Sequence, residues 1–558
     1  IHFKTMGLAS SSAVGQAAEA ATLAASSYSR PSDAPTIGYG TAGFRTNADV
    51  LDNVLYRMGI LAALRSKALG KKVGVMITAS HNPEKDNGVK LVEPMGEMMP
   101  QDWEAHATRM ANAADSDLKT LVEELSSSLS IDLNAMGEVV VGRDTRPSSS
   151  RLAMAVCDGV GVLRPSNLRS VGVVTTPQLH YIVRCQNDPS YGVPSLGGYQ
   201  DKLMDAFGKL LSSGARSPRR YKGTVNVDCA CGVGSIALSN MVEALRSVGL
   251  AVKLVNRVGD GPLNEGCGAD FVKTKQMAPA HADASGRWVS FDGDADRIVY
   301  FFSKDGFCLL DGDRIALLLS SFVKSLLTSA GAEDIQVGLV QTAYANGAST
   351  ERAKVDLGDA QVTCAKTGVK HCHHAALAYD VGVYFEANGH GTLLFSKKLV
   401  DKMQSIVTTS DSERKVAAEK LLLLRDLINE TVGDAISIFL AVEAVLYLTD
   451  SDCETWRAMY DDLPNRQIKV VVADRSIFET TDAERQCVKP GGLQAEIDKS
   501  MAKVPKGRAF VRPSGTEDVV RVYAEAETEE AMLQLAQEVV DVVYSMAGGV
   551  GEKPSLRP

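Results

Sequence analysis

An apolar, strand-like run, Val75-Met76-Ile77, gives way to Thr78-Ala79-Ser80-His81-Asn82-Pro83, a small polar loop closed by proline. A serine set there can serve as a covalent group carrier. Its free hydroxyl is a weak nucleophile, so it needs a base, a lowered pKa or a cation nearby. His81 and Lys90 are the nearest candidate helpers. The same residues also make an ordinary turn or helix cap, because Ser and Asn bond local backbone and Pro punctuates. The loop alone does not separate these readings.

A second constellation is Phe291-Asp292-Gly293-Asp294-Ala295-Asp296-Arg297, with carboxylates at i, i+2 and i+4. In an extended loop, that period of two puts all three on one side, which suits a hard divalent cation. An EF-hand is excluded because Arg297 stands where glycine is required and Ser303 where the closing glutamate belongs. A surface acidic turn is the other reading, but three carboxylates this close repel strongly without a cation. Mg²⁺ fits better than Ca²⁺ because it keeps positions open for phosphate oxygens.

Two further segments suit a phosphorylated sugar. Arg512-Pro513-Ser514-Gly515-Thr516-Glu517 follows a strand expected over 509–511. Its backbone N–H groups and hydroxyls can wrap an anion, with Arg512 and Arg521 adding bidentate bonds to phosphate. It is not a Walker loop, and by itself it is equally a plain turn. Glu386-Ala387-Asn388-Gly389-His390-Gly391 ends a strand with a carboxylate and an amide two apart, which matches a polyol. Thr367 and Gly368, on the preceding connection, could add a sugar or phosphate contact. Both segments also read as polar loops. Gly142-Arg143-Asp144-Thr145-Arg146 reads as a structural Arg–Asp brace, and one cysteine among His371, Cys372, His373 and His374 makes a poor zinc site.

The elements that must hold these loops alternate. Strand-like runs at 73–77, 138–141 and 171–174 interleave with helical patterns at 50–66 and 103–129, an α/β signature. Strands at 221–227 and 287–291 flank a helix at 235–248. A helix at 315–327, strands at 335–341 and 381–386, and a charged helical stretch at 397–430 follow. Strands at 469–472, 509–511 and 519–524 with a closing helix at 529–546 read as α+β. The expected division is a flexible or partly helical leader at 1–35, a serine-loop domain at 36–195, a metal-loop domain at 196–310, a sugar-loop domain at 311–432 and a phosphate-binding domain at 433–558.

At 558 residues, 45% hydrophobic and 23% charged, the chain is a multidomain globule. A net charge of -9 argues against nucleic acid as a partner. No apolar run approaches the roughly 18 residues of a membrane span, and no secretory signal stands at the start. The reading is a cytoplasmic protein with no obligate protein partner. Ten scattered cysteines read as free thiols.

The motifs at 78–83, 292–297, 386–390 and 512–517 stand in the order found in the α-D-phosphohexomutase superfamily, which the chain resembles over about 36–552. Tyr39-Gly40-Thr41-Ala42-Gly43-Phe44-Arg45, Glu-Ala-Asn-Gly-His at 386–390 and Thr480-Thr481-Asp482-Ala483-Glu484-Arg485 resemble its phosphoacetylglucosamine mutases. The resemblance implies four domains around a cleft, three mixed α/β and the last related to the TATA-binding-protein fold. It implies phosphoserine at Ser80, and Mg²⁺ held by Asp292, Asp294, Asp296 and the Ser80 phosphate. Glu386, Ala387 and Asn388 would meet sugar hydroxyls. Arg512, Pro513, Ser514, Gly515, Thr516 and Arg521 would hold the phosphate that is not reacting.

The implied reaction interconverts N-acetylglucosamine 6-phosphate and 1-phosphate through a hexose 1,6-bisphosphate, which also serves as activator. His390 and Lys90 are both candidates to move the hydroxyl proton. Rival readings are a mutase for glucose, mannose or glucosamine phosphates, a Mg²⁺-dependent phosphatase with Asp292 as nucleophile, and a sugar-phosphate sensor. The leader and Cys231, where the family pattern has Asn, depart from the resemblance.

Overall fold

The computed structural model describes residues 13–40, 43–214, 218–283, 286–410, 412–514 and 517–556. They fall into two compact units. One takes the described residues of Ile1–Arg216, Lys222–Leu309 and Leu423–Ala444; the other takes those of Ser217–Tyr221, Leu310–Leu422 and Val445–Pro558.

The first unit holds two mixed five-stranded sheets. In one the order is Phe44–Asn47, Asp86–Val92, Lys72–Ile77, Gly137–Arg143, Ser166–Val173; the first two pairings are antiparallel and the rest parallel. The strand Lys72–Ile77 is central and buried from Val73 onward, so the loop after it lies at a sheet edge backed on both sides. The helix Asp52–Leu69 packs on this sheet. In the other sheet the order is Phe307–Leu310, Ile298–Ser303, Arg287–Phe291, Thr224–Asp228, Ala251–Val255. Arg287–Phe291 and Ile298–Ser303 pair antiparallel, and the three aspartates form the turn between them.

The second unit contains a four-stranded sheet, Val362–Ala365, Val337–Thr342, Val381–Phe385, Gly391–Phe395, parallel except for the last pairing. The helix Gly312–Ala330, capped by Asp311 and closed by left-handed Gly331, covers it. A three-stranded antiparallel sheet, Asn465–Val471, Val519–Glu525, Arg508–Pro513, packs against Glu529–Met546. Glu479–Thr481 and Gln486–Lys489 form a separate hairpin. The chain is thus α/β with mixed sheets.

Several expectations differ from the structure. The helical run at 103–129 is two helices, Gln101–Asn112 and Leu118–Ser128, parted by extended Ala113. The stretch 235–248 is likewise Gly234–Ser239 and Val242–Ser247, and 397–430 is Lys397–Thr409 and Ser412–Leu427. The leader, expected to be flexible or partly helical, carries the helix Ala13–Ser27; the difference lies in its packing, which buries Ala17, Ala20 and Ala24 in the first unit's core, while Tyr28 stacks on Tyr56. The start of the expected fourth domain also differs, because most of the helix Ala435–Leu448 lies in the first unit. This helix is apolar nearly all round, the pattern of a wholly buried element.

Candidate active site

Ser80 has a φ of 52°, a left-handed conformation that costs an L-residue about 1 kcal/mol. The surroundings over-determine it. Ser80 N donates to Thr78 Oγ1 at 3.0 Å, and Ser80 O accepts from Arg146 Nη2 at 2.8 Å and from Asn264 Nδ2 at 2.9 Å. Arg146 also donates to the carbonyls of Asn82, Pro83 and Asp86, while its Nε pairs with buried Asp144 at 3.0 Å. The result is a fixed direction for the hydroxyl. Ser80 Oγ donates to Asp292 Oδ2 at 2.7 Å and lies 3.5 Å from Asp296 Oδ1.

The acidic loop is a tight turn rather than an extended strand. Ala295, at a φ of 58°, donates its N–H to Asp292 O at 3.1 Å. Asp292 Oδ1 then accepts from the backbone of Asp296 and Arg297, at 3.0 and 3.1 Å. Gly293 is required, since a Cβ there would stand 2.7 Å from Ser80 O. The three buried aspartates bring ligand oxygens within 4.8 Å of one another. Asp294 Oδ1 is buried with no hydrogen-bond partner among the described residues. Burial, then Asp296 and Asp294, hold the Asp292 carboxyl well above the usual carboxylate range. Hard oxygens, mutual repulsion and an orphaned acceptor fit a divalent cation.

Basic groups surround this turn. Lys90 Nζ bonds Asp294 at 3.0 Å and Asp296 at 2.9 Å; burial pulls its ammonium down, but the two carboxylates prevail and hold it above the ordinary lysine range. Thr176 Oγ1 donates to Asp294 Oδ2 at 2.6 Å. Arg297 Nε lies 3.9 Å from both Asp292 and Asp296. Arg297 first, then burial and Arg45, push the His81 imidazole down to about 2, so it is neutral at ordinary pH and no proton donor to a leaving oxygen. Arg45 Nη1 is buried without a hydrogen-bond partner among the described residues.

The second unit carries the other predicted residues. Glu386 and Asn388 sit in the hairpin turn between Val381–Phe385 and Gly391–Phe395. Glu386 Oε1 accepts from Gly368 N at 3.0 Å, Asn388 Nδ2 donates to Glu386 Oε2 at 3.3 Å, and Asn388 Oδ1 accepts from His390 N at 3.0 Å. Gly312 lets a helix terminus reach this turn, since a Cβ there would meet Glu386 O at 2.0 Å. Arg512 and Pro513 end the strand Arg508–Pro513. Ser514 is buried, with its N–H on Val519 O at 2.8 Å. Arg512 stands directly opposite Arg521 across the strands. Two like charges at that register destabilise the pair and favour an anion between them. Gly515 and Thr516 lie outside the described residues.

Three comparisons identify the frame. The profile described as "Phosphoacetylglucosamine mutase AMG1, domain III" matches residues 311–451. Profiles of phosphoglucomutase/phosphomannomutase match 47–118 (alpha/beta/alpha domain I) and 468–542 (C-terminal domain). Phosphoacetylglucosamine mutase of Sus scrofa is 51% identical over 541 residues, covering 96% of this chain and 99% of that protein. The chain belongs to the phosphoacetylglucosamine mutase family. Aspergillus fumigatus N-acetylphosphoglucosamine mutase, solved with GlcNAc-6P and magnesium, has a TM-score of 0.89 and 46% identity over 96% of this chain and 99% of that one. A serine-to-alanine variant of the fungal mutase, solved with glucose 1,6-bisphosphate, also has a TM-score of 0.89 and 46% identity, over 97% of this chain and 100% of that one. Members of this family are phosphohexomutases, which are isomerases.

Seen in this family, Ser80, Lys90 and the three aspartates come together in one unit, and Thr367, Gly368, Glu386, Ala387, Asn388, His390 and the phosphate-strand residues lie in the other. Sequence reasoning missed the reach of Arg146 to the serine loop, and also Thr176 and Asn264. None sits in a spacing pattern, since each acts across the fold. Cys231 has a φ of 52°, a conformation that favours Asn, so the family's residue suits that position. The histidines around Cys372 form no metal-ligand group among the described residues: on the helix Val369–Ala376, His373 is turned away from His371 and His374, and its Nδ1 lies 3.0 Å from Tyr384 Oη.

Proposed function

We propose that this chain reversibly interconverts N-acetylglucosamine 6-phosphate and N-acetylglucosamine 1-phosphate, with Ser80 as phosphoryl carrier and a hexose 1,6-bisphosphate as intermediate and activator. The product feeds UDP-N-acetylglucosamine synthesis in the cytoplasm, and no obligate protein partner is required. The observation that carries this reading is Ser80 Oγ at 2.7 Å from Asp292, inside a buried carboxylate triad, in a chain of this family.

In the first half-reaction the free O1 or O6 hydroxyl attacks the phosphorus on Ser80. The new P–O bond to sugar forms as the P–Oγ bond breaks, the hydroxyl proton passes to an enzyme base, and Ser80 Oγ takes up a proton. After the bisphosphate reorients, Ser80 Oγ attacks the other phosphorus, its proton leaves, and the freed sugar oxygen is protonated. When bound, Mg²⁺ would be held by Asp292, Asp294, Asp296 and the Ser80 phosphate and would supply neutralisation of charge on the phosphoryl group. Arg297 adds positive charge beside it. Lys90 and His390 are the candidates to move the proton; Lys90, held protonated by Asp294 and Asp296, suits the donating role. Glu386 and Asn388 meet sugar hydroxyls, with Ala387, Thr367 and Gly368 beside them. Arg512, Pro513, Ser514, Gly515, Thr516 and Arg521 hold the phosphate at rest.

The test is peptide mass spectrometry after incubation with a hexose 1,6-bisphosphate, with hydroxylamine treatment in parallel. Phosphate stable on Ser80 is expected; a hydroxylamine-labile phosphate on Asp292 overturns the carrier role in favour of an aspartyl phosphatase. Turnover of paired sugar phosphates with and without the acetyl group tests the substrate, and a preference for the unacetylated sugar would reassign it.

A further inference from the structure

The segment Thr480–Arg485 has so far had no role. It forms the tip of the hairpin of Glu479–Thr481 and Gln486–Lys489, and three successive non-glycine residues there are left-handed: Asp482, Ala483 and Glu484, with φ of 51°, 52° and 71°. Such conformations persist only where surrounding contacts over-determine them. The tip turns Glu484 inward, leaving its side chain 14% exposed. Its two oxygens are used separately: Oε1 accepts from Arg512 Nε at 2.9 Å, and Oε2 accepts from Thr367 N at 3.0 Å.

Those partners belong to the two ends of the substrate grip. Arg512 faces Arg521 across the phosphate strands, so an anion beside it offsets part of that like-charge pairing. Thr367 adjoins Gly368, whose N–H holds Glu386 Oε1. One carboxylate therefore ties the phosphate arginine to the connection that orients the sugar glutamate. An ordinary surface ion pair would be exposed, mobile and worth little. This one is shielded, charge-assisted and shared between two backbone elements.

We propose that Glu484 is a positioning residue, which holds the Arg512 guanidinium toward the non-reacting phosphate and keeps it in register with the sugar turn. The proposal rests on the roles of Arg512 and Glu386 given under Proposed function. Glu484 does not touch substrate; it acts through Arg512 and Thr367.

The experiment is steady-state kinetics in both directions with E484A, E484Q, R512A and the E484A/R512A double variant, with melting temperatures alongside. E484A is expected to raise KM for both sugar phosphates roughly ten- to a hundredfold, the scale of a lost charge-assisted bond. kcat should stay within about threefold, because the phosphate held is not the one transferred. E484Q keeps one acceptor oxygen, so its KM should lie between parent and E484A. In the R512A background, E484A should add little. An unchanged KM in E484A, a loss confined to kcat, or full additivity with R512A overturns the proposal. If E484A does not fold, E484Q carries the same comparison, with a KM rise of at least about threefold expected and none overturning it. If R512A itself leaves both KM values unchanged, the phosphate-cradle reading has failed first, and this one falls with it.

Discussion

Ser80 Oγ donates a 2.7 Å hydrogen bond to Asp292 Oδ2, although 212 residues separate them. Carrier and cation loop are therefore joined before any phosphate arrives. In the proposed phosphoserine form, Ser80 would no longer have that proton to give, and its oxygens would face three carboxylates. A cation bound there would then be part of the fold of the loop as well as of the proposed chemistry.

Replacing Ser80 separates chemistry from backbone. S80A should lose kcat by at least about a thousandfold, as expected for a covalent carrier, while keeping its fold. S80G should be equally inactive yet melt no lower than S80A, because alanine retains the penalty of a φ of 52° and glycine does not. Activity assays with thermal melts check both, and substantial turnover in either variant would remove Ser80 from the reaction.

The aspartate turn should show its ligand set in stability. Mg²⁺ at a hundred times its Kd should stabilise the parent by about 2.7 kcal/mol over the protein in chelator. D294N should lose most of that gain. An undiminished Mg²⁺ response in D294N would exclude Asp294 as a ligand.

Arg146 should matter to the serine loop more than a domain brace would. R146A leaves Asp144 buried and unpaired, and strips a donor from the carbonyls of Ser80, Asn82, Pro83 and Asp86. A loss of about 3–5 kcal/mol is expected from denaturant midpoints. R146K should recover only part of it, because an ammonium cannot span that fan of acceptors.

Lys67 gives a pH signature away from the site. Buried, and donating to the carbonyls of Leu133, Ala135 and Pro165, its ammonium is pushed down to about 8 by burial. From there up to its ordinary 10.5, the unfolded chain holds the proton and the native one does not, so this residue makes stability rise with pH across that window. Urea midpoints across it should lose that contribution in K67M.

The site was legible where chemistry is local. Ser80 in its loop, three aspartates at alternate positions and Glu386 with Asn388 announce themselves by type and spacing. The reason for their convergence did not. The acidic run gathers its oxygens through the left-handed Ala295 and the N–H bonds to Asp292, rather than by a strand's alternation. Arg146 and Glu484 act on segments far away in sequence, and periodicity carries no such information. Helix breaks at Ala113 and between the two short helices at 234–247 escaped because no Gly or Pro marks them. The buried helix Ala435–Leu448 escaped because an apolar run has no phase to read.

The return of Leu423–Ala444 to the first unit has a consequence for how the protein is made. Ala435 N donates to Ala295 O at 3.0 Å, inside the aspartate turn, and Glu443 pairs with buried Arg287 at 2.6 Å, on the strand that leads into it. A nascent chain that has not reached Leu423 already contains Ser80 and all three aspartates, but lacks both of these supports. Because domains fold as the ribosome releases them, the unit that contains Ser80 and the three aspartates is completed only after residues 310–422 have been synthesised.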